Sequence, residues 1–244
     1  MSPDPNKVCF IIAHKYFRGH TSYLKYYIEN IQKFYPEALT IVVDNNSLHK
    51  DDVFDPLQEL NNVVLLDNDI TSKFELGAFT RGVRYLSNKD IINKYEYFIF
   101  TQDTYILKNK YDFTKHKDKA CPINAAVHGP ELLTLKYDEV QGFTKIDPPH
   151  HVIKQVWCSS FVLHRSKVLS FFEILKDIKV ITRVDSEDAE RYISAVLYYL
   201  NDNKISDIDS YLRYSPWTDD PMHMKVDNYF MKKLQQKTEN TEVL

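Results

Sequence analysis

The chain has 244 residues, 43% hydrophobic and 27% charged, with a formal net charge of -3 and acids and bases mixed along its length. That is the composition of an ordinary soluble globular protein long enough to bury a sizeable core, and no basic face of the kind that binds nucleic acid is visible. Cys9, Cys121 and Cys158 are odd in number and widely spaced, so they make neither a disulfide framework nor a zinc knuckle.

The start, Met1-Ser2-Pro3-Asp4-Pro5-Asn6-Lys7, is polar, and the apolar run after it is too short for a signal segment or a membrane span. A reducing cytosol is the simplest compartment. Val8-Cys9-Phe10-Ile11-Ile12-Ala13 reads as a first buried strand. The loop that follows begins with His14 and holds Lys15, Arg18 and a single glycine, Gly19. It lacks the Gly-x-Gly-x-x-Gly pattern of dinucleotide-binding turns. Thr21 and Ser22 are expected helix caps, and Leu24, Tyr27, Ile28 and Ile31 recur at helical spacing up to Pro36. Leu39-Thr40-Ile41-Val42-Val43 is a second strand, ending in Asp44-Asn45-Asn46-Ser47. Val63-Val64-Leu65-Leu66 is a third, ending in Asp67-Asn68-Asp69. Successive strand–helix–strand steps predict an α/β fold with a mainly parallel sheet flanked by helices.

Tyr97-Phe98-Ile99-Phe100 is an unbroken apolar run, the pattern of a strand buried on both faces. Thr101-Gln102-Asp103-Thr104 then places polar groups at its C-terminal end. In an open α/β sheet that edge faces the ligand crevice, and a carboxylate there can hold a hard cation. A strand ending in a plain polar turn fits the same residues. Three strands ending in Asp would gather acids at one edge, which suits a phosphate ligand only if a cation bridges them.

This stretch resembles the centre of GT-A glycosyltransferases, where an apolar strand ends in a short acidic motif holding a metal on the donor diphosphate. Asp103 matches the motif's last acid, whereas Thr101 and Gln102 stand where further acids are usual. Glu75-Leu76-Gly77-Ala78-Phe79-Thr80-Arg81-Gly82 is similar to the family's small-residue segment beside the donor. There Gly77 and Gly82 allow close approach, and Arg81 can reach a phosphate. The same glycines also suit plain helix-on-sheet packing.

Residues 108–149 carry turns and prolines without a clear period. Val156-Trp157-Cys158-Ser159-Ser160-Phe161-Val162-Leu163 reads as one further strand, followed by a helix from Lys167. Val184-Asp185-Ser186-Glu187-Asp188 opens a strong helix with Ala189, Ile193, Val196, Leu197 and Leu200 on its buried face. Acids also favour a first helical turn through the helix dipole alone. Glu190, further along, is expected to point to solvent.

The resemblance implies one GT-A-like, Rossmann-type domain over residues 1–244. Residues 7–107 would form the nucleotide-sugar half, 108–231 the acceptor side and 232–244 a charged tail. Small viral and bacterial enzymes of the family come closest in size, so the compartment would be the cytoplasm, of the host if the source is viral. The implied reaction moves a sugar from a nucleoside-diphosphate sugar to a glycan or other hydroxyl acceptor. The implied donor site is Ala13, His14, Asp44, Asn45, Gly77, Arg81, Gln102 and Asp103. A divalent cation, Mn2+ or Mg2+, would sit on Asp103 and His223, with His150-His151 as rivals for the second position. Asp188 or Glu187 would be the general base if the enzyme inverts, and Trp217 would stack on the acceptor. Two other readings stay open: a nucleotidyltransferase, and a degenerate, non-catalytic sugar-nucleotide-binding or scaffold protein.

Overall fold

The structure, a computed structural model, describes residues 7–16, 22–123, 125–128, 153–156, 160–201 and 230–232. In chain order the elements are β1 (Val8–His14), α1 (Leu24–Phe34), β2 (Leu39–Asp44), α2 (Asp51–Phe54), β3 (Val63–Asp67), α3 (Phe74–Asn88) and β4 (Tyr97–Gln102). They continue with β5 (Tyr105–Leu107), β6 (Ala120–Pro122), β7 (Ala125–His128), β8 (Ile153–Val156), β9 (Phe161–His164), α4 (Arg165–Ile174), α5 (Arg183–Leu200) and β10 (Phe230–Lys232).

Six strands form the main sheet in the order β3-β2-β1-β4-β9-β6. β3, β2, β1 and β4 are mutually parallel, and β9 runs antiparallel to both of its neighbours. Two antiparallel pairs stand apart from it, β5 with β10 and β7 with β8. This is a mixed α/β, mainly parallel, Rossmann-type sheet with helices on both faces.

Alternation along β1 explains the two layers. Cys9, Ile11 and Ala13 belong to one core with Leu76, Phe79, Val83 and Leu86 of α3 and with residues of α4 and α5. Val8, Phe10 and Ile12 belong to the other, with Leu24, Tyr27, Ile28 and Ile31 of α1. Each such fully buried aliphatic side chain contributes about 1.5–3 kcal/mol. That outweighs the start of α1, where the side chain of Tyr23 does not cap the helix. Gly82 lets α3 lie close on the sheet: a Cβ there would come within 2.6 Å of Cγ2 of Ile11.

Chain order turns at β1. From β1 the chain steps through α1 and α2 to β2 and β3, then returns through α3 to β4 on the other side of β1. The chain leaves β1 toward the face that carries α1 and enters β4 from the face that carries α3. Such a switch point leaves a crevice outside the carboxyl ends of the strands.

Several expectations shift. All four parallel strands run one or two residues longer than their apolar runs, because polar residues at their ends still pair with neighbours. Positions 156–163 do not form one strand. Val156 closes β8, paired with β7, whereas Phe161 opens β9 in the main sheet. The helix expected from Lys167 begins at Arg165, because the His164 side chain caps it by accepting from the Ser166 N–H. Within the stretch without period, β6 joins the sheet, and its Pro122 is tolerated because β6 is an edge strand. Among the described residues no helix is long and apolar enough to cross a membrane.

Candidate functional site

The carboxyl edge gathers the expected residues. His14, Asp44 and Asp67 stand side by side across β1, β2 and β3. Gln102 lies beside Ala13, with Asp103 just past it. Ala13 itself is core, 6% exposed.

Most of the acids at this edge are engaged in building loops. Asp44 is fully buried and accepts from the Ser47 N–H at 2.7 Å and the Ser47 hydroxyl at 2.5 Å. That turn carries Asn46 at φ 60°, a left-handed conformation Asn tolerates. Lys15 Nζ donates to the carbonyls of Asn45 and Asn46 at 2.8 and 2.6 Å, and the Tyr16 N–H donates to Ser47 Oγ. The loops after β1 and β2 are thus cross-braced. Asn45 Oδ1 accepts from Asn68 Nδ2 at 2.8 Å. Asp67 pairs with Lys50, and Asp69 lies 2.6 Å from Arg81 Nε. The Arg81 contact is close without being aligned as a hydrogen bond.

Asp103 is different. Its Oδ2 lies 2.6 Å from His14 Nδ1 and accepts from the Lys15 N–H at 3.1 Å. His14 is 1% exposed and Asp103 7%. The imidazole stacks on Phe54 of α2, with ring centroids 5.6 Å apart. Its Nε2 is buried with no hydrogen-bond partner among the described residues. The two residues close the two strands that flank the switch point.

Thr101 and Gln102, the departures from the acidic motif, have defined partners. Thr101 Oγ1 meets the Tyr27 hydroxyl at 3.0 Å inside the core, and burial pushes the Tyr27 phenol above its usual range. Gln102 points to the opposite face and donates to Glu75 Oε1 at 2.5 Å, while Glu75 Oε2 accepts from the Ser186 hydroxyl at 3.0 Å. One carboxylate in the first turn of α3 so joins the end of β4 to the first turn of α5. Sequence reading singled out neither Glu75 nor Ser186. The space beside Gly77 is filled by the chain itself, since a Cβ would meet the Ser72 carbonyl oxygen at 2.0 Å.

At α5 the acids divide. Asp185 forms a capping box with Thr182, and hydrogen bonds from the Thr182 and Ile181 N–H groups hold its carboxyl below the usual range. Glu187 is exposed and pairs with Arg183 at 3.4 Å. Asp188 is half-buried, with Arg191 Nη1 at 3.0 Å. Glu190 does not stand in solvent as expected; it is half-buried, because the helix turn that carries it packs inward. His150, His151, Trp217 and His223 lie outside the described residues.

Among the described residues, no group of three or more His, Cys, Asp or Glu side chains could hold a metal ion. Asp103 already commits one carboxylate oxygen to His14 and Lys15.

No family model matches the chain, and no curated protein matches it. The chain is similar to the solved structure of 4-diphosphocytidyl-2C-methyl-D-erythritolsynthase from Anaerococcus prevotii, at 13% identity and a TM-score of 0.48, over 84% of this chain and 87% of that one.

Proposed function

We propose that the chain is a glycosyltransferase that binds a nucleoside-diphosphate sugar at the carboxyl edge of β1, β2 and β4 and moves the sugar to a hydroxyl acceptor. The observation that carries this reading is the buried Asp103, closing β4 beside His14 at the switch point of the sheet. A buried carboxylate must be paired and hydrogen-bonded, and His14 and the Lys15 N–H meet that need at the edge of the sheet where ligands bind. The resemblance of the Asp103 segment to GT-A enzymes supports the same reaction class.

In the transfer, the acceptor oxygen bonds to the anomeric carbon. The bond from that carbon to the diphosphate oxygen breaks, and the nucleoside diphosphate leaves with the electron pair. The acceptor's proton passes to a base, and Asp188, half-buried beside Arg191, is better sheltered for that role than the exposed Glu187. A base must lie within hydrogen-bond reach of the proton it takes.

The test is a hydrolysis screen of nucleotide sugars, with and without Mn2+, since water can replace the acceptor. Release of nucleoside diphosphate from one donor is expected. Turnover of nucleoside triphosphates in its place would mean nucleotidyl transfer. Binding without any turnover would mean a non-catalytic sugar-nucleotide-binding protein.

A further inference from the structure

The proton between His14 and Asp103 can be placed. Asp103 Oδ2 accepts from the Lys15 backbone N–H, so it is an acceptor, and the hydrogen shared with the imidazole sits on Nδ1. In the neutral ring Nε2 then carries a lone pair. That nitrogen is buried and unpartnered among the described residues. Buried polar atoms are almost always satisfied, and an exception calls for a ligand or another partner.

We propose that His14 and Asp103 form a tautomer-fixing dyad for nucleoside recognition. Asp103 holds the ring with Nδ1 protonated, and Nε2 accepts a hydrogen bond from an O–H or N–H of the bound nucleoside. This deepens the nucleotide-sugar reading and rests on it, but it gives Asp103 to an imidazole and not to a cation. The position fits, because the dyad spans the ends of β1 and β4, where the crevice opens. His14 is covered in the free chain, so the contact forms as the ligand displaces its cover.

Two substitutions separate this from a merely structural pair. His14→Asn keeps a side-chain N–H for Asp103 and removes Nε2. Asp103→Asn removes the charge that a cation needs, while its amide oxygen still accepts from the Lys15 N–H and from Nδ1, so the tautomer is kept. UDP, GDP, ADP and CDP are titrated calorimetrically against each protein, with and without Mn2+, beside a thermal melt. For the nucleotide that binds wild type, His14→Asn should lose about 10- to 100-fold in affinity, the scale of an unmatched buried hydrogen bond, and Asp103→Asn much less. The loss should be the same with and without Mn2+. The 2′-deoxy and 3′-deoxy forms assign the donor: the form whose affinity no longer responds to His14→Asn lacks the hydroxyl concerned. If both still respond, the donor is an N–H of the base.

Unchanged affinity in His14→Asn overturns the dyad's role. So does an Asp103→Asn loss confined to titrations with Mn2+, which would make Asp103 a cation ligand. If wild type binds none of the four nucleotides, the functional reading fails and takes the ligand of Nε2 with it. The tautomer is checked separately on wild type by imidazole 15N spectra in mildly alkaline buffer, which needs no folded variant. Protonated Nδ1 with bare Nε2 is expected, and the reverse tautomer would overturn the dyad whatever binds.

Discussion

Strand β4 has a histidine and a carboxylate at each end, and the two pairs differ in one respect. At the amino end His164, opposite Tyr97 in the sheet, lies 3.4 Å from Glu96 through Nε2. Its Nδ1 lies 3.2 Å from Asp118 and accepts from the Ser166 N–H at the start of α4. At the carboxyl end His14 has Asp103 on Nδ1 and no partner on Nε2 among the described residues. His164 has both ring nitrogens engaged and serves as a helix cap. His14 is held as firmly but left half-used. The contrast teaches that burial and a carboxylate partner do not tell the two histidines apart; the unspent nitrogen does.

The largest effect that would sharpen the contrast is on stability at the carboxyl end. His14→Leu fills the space but strands the Asp103 carboxylate with the Lys15 N–H as its remaining described donor. Breaking a buried pair from one side costs about 3–5 kcal/mol, which urea unfolding of the variant would report. A loss below about 1 kcal/mol, the scale of an exposed pair, would mean that Asp103 is solvated in practice.

His164→Ala should cost less, about 1–2 kcal/mol, as expected for a lost helix cap. Nucleotide affinity should not change in that variant. A fall in affinity would break the division of roles between the two ends.

A smaller effect is the pH dependence of the same pair. Burial holds the His164 pKa below its ordinary value of 6.5, against the pull of Asp118 and Glu96. The unfolded chain therefore binds more protons than the folded one between the two values. The stability tied to the neutral ring is full above about pH 6.5 and is lost as pH falls through that value toward the lower folded one. Stability measured across this window should rise with pH in wild type and rise less steeply in His164→Ala. Equal slopes would show that His164 does not titrate with folding.

The parallel half of the fold was legible because strands covered by helices read as near-continuous apolar runs, even the half-buried edge strand β3. Residues 8–13, 39–43, 63–66 and 97–100 announce themselves that way. Their acidic ends were equally visible. The partners were not: His14 and Asp103 are 89 residues apart in sequence, and Glu75 and Ser186 are 111 apart. Each contact depends on strand order or on helix placement, which no local pattern encodes. Knowing that β1 neighbours β4 would have paired the two edge residues. The later strands failed for other reasons: β6 is three residues long and contains Pro122, too little for a period to show. Val156 and Phe161 looked continuous because no proline or glycine separates them, although they belong to different sheets.

The central claim, that the carboxyl edge binds a nucleotide through His14, meets its most direct test in imidazole 15N spectra recorded during a nucleotide titration. Spectra of His14→Asn and His164→Ala assign the two rings among the nine histidines of the chain. The account predicts that the His14 Nε2 resonance moves with nucleotide while both His164 resonances stay in place. A saturating nucleotide that leaves His14 unmoved, or that moves His164 instead, would contradict it.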